Sequence, residues 1–129
     1  MNAFVFDLPN RPGELARVTE ALAARGINIL IYDLGLVLGV VVSDEEATRS
    51  TFHNLGVAVR EVSVLTVRME DSPGQAADIS RRLADAGVNI EIWLPVDTSP
   101  QSFIVALGVD DIEAAREAVR EQITEWSYQ

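Results

Sequence analysis

The chain contains no cysteine, which removes disulfides, thiolate metal sites and cysteine nucleophiles from consideration. That lack fits a reducing cytoplasm. Histidine occurs once, as His53, in a predicted helix and without a partner of the kind acid–base catalysis needs. No metal-ligand spacing appears. Gly35 and Gly39 are not followed by the Gly-Lys-Ser/Thr of a phosphate loop. No nucleophile stands with its base. Neither enzymatic activity nor a cofactor is therefore expected. Basic residues are also scarce: ten Lys and Arg stand against twenty Asp and Glu, for a net charge of −10. Such a surface repels phosphate backbones, so nucleic acid is not an expected partner. Long apolar runs are missing as well. The longest, Ile27–Val42, is broken by Asn28, Asp33 and two glycines, and is too short to span a bilayer. The first seven residues have neither the basic region nor the apolar core of a signal peptide. The expectation is a soluble cytoplasmic chain with no membrane contact.

What is present is a repeat. The 129 residues suit one ordinary domain or two very small ones, and 48% hydrophobic with 23% charged residues is a globular composition. Shifted by 61 positions, Pro12 falls on Pro73, Gly13 on Gly74, Leu22 on Leu83 and Gly26 on Gly87. Asn28, Ile29 and Ile31 then fall on Asn89, Ile90 and Ile92. Tyr32 meets Trp93. Further on the shift becomes 67, and Val42, Asp44, Glu46, Ala47 and Arg49 meet Val109, Asp111, Glu113, Ala114 and Arg116. The six extra residues lie around Pro95–Ser102, which reads as a longer loop. One unit of about 60 residues is written twice, over 1–62 and 63–129.

Each unit reads as strand, helix, strand, strand, helix, strand. First strands are expected at Ala3–Leu8 and Val64–Met69. Pro12 is placed in the first helical turn. Leu15, Val18 and Leu22 share a helix face, as do Ala76, Ile79 and Leu83, and Gly26 and Gly87 end those helices. Second strands follow at Ile27–Tyr32 and Val88–Pro95, and third strands at Leu36–Val42 and Phe103–Val109. Ser43 to Glu46 reads as a capping box with Ser43 as cap, and Asp110 with Glu113 takes the same places. Second helices run over Asp44–Leu55 and Asp111–Ile123. Final strands are expected at Val57–Val62 and Thr124–Tyr128. The fold class is α+β: two ferredoxin-like βαββαβ repeats, with antiparallel sheets and helices on one face. With no linker between the repeats, close packing or exchange of a strand is expected.

These residues resemble the ACT domain, a regulatory amino-acid-binding module. Its pattern of Asp or Asn just ahead of Pro-Gly, a helix, then Gly-x-Asn-Ile is met by Asn10, Pro12-Gly13 and Gly26 to Ile29. It is met again by Asp71, Pro73-Gly74 and Gly87 to Ile90. The likeness covers nearly the whole chain and is to the free-standing tandem members. It implies side-by-side pairing of units, here in a homodimer, with small effectors held where the first loop of one unit faces the second strand of a neighbour.

The candidate ligand residues are Asn10, Arg11, Gly13, Asn28, Ile29, Asp71, Ser72, Gly74, Asn89 and Ile90. A helix N-terminus suits a carboxylate. Gly13 and Gly74 allow close approach of backbone. Asn10 or Asp71 could accept from an ammonium, and Arg11 could meet a carboxylate. The plainer alternatives are turn and cap roles for Asn10 and Asp71, and a helix-to-strand tie for Asn28 and Asn89. Tyr32 and Trp93 read as packing or interface residues ahead of a ligand wall. The leading expectation is a small regulatory or sensor protein that binds an amino acid or similar metabolite. The alternative is a protein-interaction module that docks on a metabolic enzyme or regulator without a ligand of its own.

Overall fold

The computed structural model describes residues 1–34, 38–70, 72–99 and 102–126. The sequence positions Leu36, Val37, Asp71 and Tyr128, on which expectations were placed, lie outside the described residues. The chain divides into two compact units, one of Asn2–Glu61 and one of Val62–Gln129 together with Met1.

The first unit holds β1 (Asn2–Phe6), α1 (Glu14–Ala24), β2 (Ile29–Leu34), β3 (Leu38–Val42), α2 (Glu45–Leu55) and the beginning of β4 (Val59–Met69). Its strand order is β2-β3-β1-β4, with β3 antiparallel to both β1 and β2. Period-two alternation puts Phe4, Phe6, Val40 and Val42 on one sheet face. There they meet Val18 and Leu22 of α1 and Phe52 of α2. Phe52 lies 4.8 Å from Phe6 and 6.3 Å from Phe4, ring centre to ring centre. Fully burying each such side chain stabilises the fold by roughly 1.5–3 kcal/mol.

The second unit holds the rest of β4, α3 (Gln75–Asp85), β5 (Ile90–Ser99), β6 (Ser102–Val109) and α4 (Ile112–Ala118). Its order is β4-β6-β5, all antiparallel. Leu65, Val67, Leu107 and Val109 face Ile79, Leu83, Ala115 and Val119. These are the repeat partners of the first core, with Leu65, Val67 and Val119 standing where Phe4, Phe6 and Phe52 stand. The α+β fold of βαββαβ units, with helices on one face of antiparallel sheet, is the expected one.

Four local expectations are corrected. The last strand of the first repeat and the first of the second are one strand, β4, because no Gly, Pro, Asn or Asp lies between Val59 and Met69 to stop it. Within the expected loop around Pro95–Ser102, Pro95–Ser99 is strand: β5 and β6 pair out to Ser99 with Ser102, with a bulge between Pro95 and Asp97. Proline is tolerated there because β5 is an edge strand. The caps of α2 and α4 are Asp44 and Asp111, not Ser43 and Asp110. Each cap accepts the backbone N–H three residues on at 3.0 Å. Last, α4 stops at Ala118 and passes into a 3-10 turn over Arg120–Gln122. Gly56 ends α2 in the left-handed region at φ 69°, and Ile123 stands at the matching position, unable to make that cap cheaply. Of the strand expected over Thr124–Tyr128, the described residues show a bridge of Ile123 with Val67, a bond from the Thr124 N–H to the Thr66 carbonyl at 3.0 Å, and one from the Thr66 hydroxyl to the Thr124 carbonyl.

Candidate functional site

The repeated Pro-Gly stretch is a turn that launches a helix. Glu14 N–H bonds to the Arg11 carbonyl at 3.4 Å, and Gln75 N–H to the Ser72 carbonyl at 3.3 Å. Gly13 has φ 92° and ψ −16°, and Gly74 has φ 92° and ψ −11°. Proline followed by a left-handed residue is the pattern of a type II turn, which demands glycine at its third position. The glycine is thus required by the turn itself. Pro12 stands before the cap and not inside the helix. Gly13 and Gly74 are the cap residues and have no side chain to cap with. The starts of α2 and α4, by contrast, are closed by aspartate. The α1 and α3 starts therefore present backbone N–H groups with no cap from their own glycine, a setting that favours an anion.

Around the first turn, Asn10 and Arg11 are exposed. Arg11 is engaged: its Nε donates to Glu14 at 2.9 Å, and Arg17 approaches the other Glu14 oxygen at 3.4 Å. The Arg11 hydrogen bond, more than the accompanying charge attraction, holds the Glu14 carboxyl below its ordinary value. Ser72 is exposed in the second turn. Asp71 is outside the described residues.

Asn28 and Asn89 are tied by their backbones. Asn28 N–H donates to Ser43 Oγ at 2.8 Å and Asn89 N–H to an Asp110 carboxylate oxygen at 2.9 Å. In return Ser43 N–H donates to the Asn28 carbonyl at 2.9 Å, and Asp110 N–H to the Asn89 carbonyl at 3.3 Å. The side chains of Asn28 and Asn89 are exposed, while Ile29 and Ile90 are half-buried at the edges of the two cores. Both asparagine backbones therefore act as helix-to-strand ties, and only their side chains stay available.

A feature that the sequence did not bring forward lies inside the first unit. An apolar pocket of about 260 Å³ opens between α1 and the sheet. Leu15, Val18, Thr19 and Leu22 line it from the helix, and Phe6, Ile29, Tyr32 and Val40 from the strands. Tyr32 forms its lip and is 63% exposed. Its repeat partner Trp93 is half-buried and packs against the second core. The available signal was the shared face of Leu15, Val18 and Leu22 together with the unequal aromatic pair, but no linear motif joins Phe6, Thr19 and Tyr32. His53 is exposed in the last turn of α2. Among the described residues no group of three or more His, Cys, Asp or Glu is placed to hold a metal. No described helix is long and apolar enough to cross a membrane.

Residues 3–31 match the ACT domain. The chain is also 31% identical over 144 aligned positions to an aspartokinase of Corynebacterium glutamicum, covering 92% of this chain. It spans only 32% of that protein. Among solved structures, a Bacteroides thetaiotaomicron protein superposes with a TM-score of 0.77 at 22% identity, covering 95% of this chain and 90% of that one. The regulatory subunit of aspartate kinase from Thermus thermophilus superposes with a TM-score of 0.68 at 21% identity, covering 96% and 92%. At such identities the structural likeness speaks for the fold. The comparisons thus give an ACT-domain match over residues 3–31 and, through the solved structures, a likeness of fold over nearly the whole chain.

Proposed function

We propose that the chain is a cytoplasmic, non-enzymatic regulatory protein made of two ACT repeats, 1–62 and 63–129, that binds an amino acid or similar small metabolite. In this reading the effector sits where the first turn of one ACT unit faces the second strand of another, and a homodimer supplies neighbouring units. The observation that carries the reading is the doubled Pro-Gly turn. Both copies hold the same backbone angles and open onto helix starts that their own glycine cannot cap, while the other two helices carry aspartate caps. The ligand set remains Asn10, Arg11, Gly13, Asn28, Ile29, Asp71, Ser72, Gly74, Asn89 and Ile90. Arg11 would meet a ligand carboxylate only by sharing itself with Glu14. The similarity to a regulatory subunit of aspartate kinase supports the amino-acid class without naming the amino acid.

Thermal denaturation against a panel of the twenty amino acids tests this reading, because a ligand selective for the native state raises the midpoint as its concentration rises. A selective shift that is lost in Asn10→Ala or Asp71→Ala is the expected result. A flat panel would sink it.

One observation favours a second reading. The aspartokinase relative aligns with this chain over about a third of its own length, so the matching region there is part of a larger protein. A chain of this kind could act by docking on an enzyme of amino-acid metabolism. Co-elution of the purified chain with such an enzyme, with a change in that enzyme's activity and no response to amino acids, would favour docking.

A further inference from the structure

We propose that the pocket under Tyr32 is a side-chain subsite of the first unit, and that it takes the hydrocarbon side chain of a small ligand, aliphatic or aromatic. The inference rests on the amino-acid reading above and narrows it to amino acids with apolar side chains.

Three observations lead there. The first is size. An apolar cavity of about 150 Å³ accepts benzene, so about 260 Å³ has room for a phenyl ring or a branched four-carbon chain. Larger metabolites would not fit within it. The second is chemistry. The one heteroatom of the helix wall is Thr19 Oγ1, and its proton is directed at the Leu15 carbonyl, 3.1 Å away, and the Ala16 carbonyl, 3.3 Å away. Apart from the Tyr32 hydroxyl at the exposed mouth, the other lining side chains are hydrocarbon, so a charged side chain entering here would lose most of its water with little to replace it, which is costly. The third is the contrast between repeats. Tyr32 pairs with Val40 across β2 and β3, and Trp93 pairs with Leu107 across β5 and β6. These are the same two positions of the repeat. Yet Tyr32 stands open at the pocket mouth, while Trp93 lies on its own core. Leu15, moreover, is replaced by Ala76, which is exposed. At these two positions the first unit has a half-buried leucine and an exposed tyrosine, where the second has an exposed alanine and a half-buried tryptophan.

The pocket also lies in line with the turn. Leu15 follows the cap residue Gly13 by two positions, so the wall of the pocket begins in the first turn of α1. A ligand with its carboxylate at that helix start would carry its side chain along the face formed by Leu15 and Thr19.

Isothermal titration of the intact chain with L-leucine, L-phenylalanine, L-lysine, L-threonine and indole tests the proposal. Indole has neither carboxylate nor ammonium, and so reports on the pocket alone. The expected result is one site per chain for leucine or phenylalanine, no binding of lysine or threonine, and binding of indole. Thr19→Leu, which fills the pocket at a half-buried helix position, is expected to weaken both kinds of binding tenfold or more. Its urea midpoint checks that it folds, and Tyr32→Ala, at an exposed position, should weaken binding in the same direction. Lysine or threonine binding that Thr19→Leu leaves unchanged overturns the subsite and spares the amino-acid reading. Indole binding without any amino acid keeps the pocket and overturns that reading. Absence of all binding overturns both. If Thr19→Leu instead converts a dimer to a monomer in sedimentation velocity, the pocket holds a side chain of a second copy, and the proposal falls.

Discussion

Gly13 and Gly108 are both fixed by geometry, but for different reasons. A β-carbon at Gly13 would meet nothing within 4 Å, so its constraint is φ of +92° alone. Placing an ordinary residue in the left-handed region costs about 1–2 kcal/mol, and Gly13→Ala is expected to lose about that much in urea denaturation. At Gly108 the constraint is space: a β-carbon there would lie 2.8 Å from Cβ of Ile92. Since that atom sits at the root of its side chain, the backbones must move, and Gly108→Ala is expected to cost about 1–3 kcal/mol. Gly39, in β3, would bring its β-carbon no closer than 4.0 Å to the Phe4 carbonyl. Gly39→Ala is therefore expected to change stability by less than about 0.5 kcal/mol, as at an unconstrained site. The same urea series compares all three. Glu61 makes a different kind of prediction. Arg49 donates to both of its oxygens, at 2.8 and 2.6 Å, and Asn2 adds a third bond at 3.1 Å. The Arg49 hydrogen bond holds the Glu61 carboxyl below its ordinary 4.5. With the folded value below the unfolded one, the stabilisation is whole above pH 4.5 and is lost as pH falls below it. Melting curves across that range should fall less steeply with acid in Glu61→Gln than in the parent protein.

Among the described residues the four α-helices begin in two ways, and the repeat decides which. Those after the Pro-Gly turns start on glycine, and those after the third strands start on aspartate with φ −138° in both copies. Replacing an aspartate cap with alanine typically costs about 1 kcal/mol. Asp44→Ala and Asp111→Ala should each show that loss in chemical denaturation. The start of α1, having no side-chain cap to lose, should instead gain from a bound anion. Much of this was legible in sequence. The shift of 61 aligns α1 with α3 and the shift of 67 aligns the start of α2 with that of α4, residue for residue. What escaped was local competition. Ser43 and Asp44 are both good caps, and Ser43 was needed elsewhere to bond the Asn28 N–H. Val57–Val62 and Val64–Met69 read as two strands because the repeat was imposed on them, although only Ser63 lies between. The pocket was out of reach because Phe6, Thr19 and Tyr32 belong to three elements and become neighbours only through packing.

Over the whole molecule the charge is one-sided. All ten basic residues are arginine, against twenty acids. Several arginines serve within the fold, as Arg11 and Arg17 do at Glu14 and Arg49 does at Glu61. A net charge of −10 repels itself, and salt screens that repulsion. The melting temperature is therefore expected to rise as sodium chloride goes from about 0.01 to about 0.15 M, over which the screening length shrinks from about 30 to about 8 Å. A fall would mean that the arginine–carboxylate pairs outweigh the bulk charge.

Because β4 runs unbroken from Val59 to Met69, the chain has no seam where its gene could be cut into cassettes. Any cut between the repeats would divide that strand. A single-residue insertion within β4 would turn every later side chain of that strand to the opposite face. Homologues of this chain should therefore vary in length between β2 and β3 and between β5 and β6, and hold β4 constant.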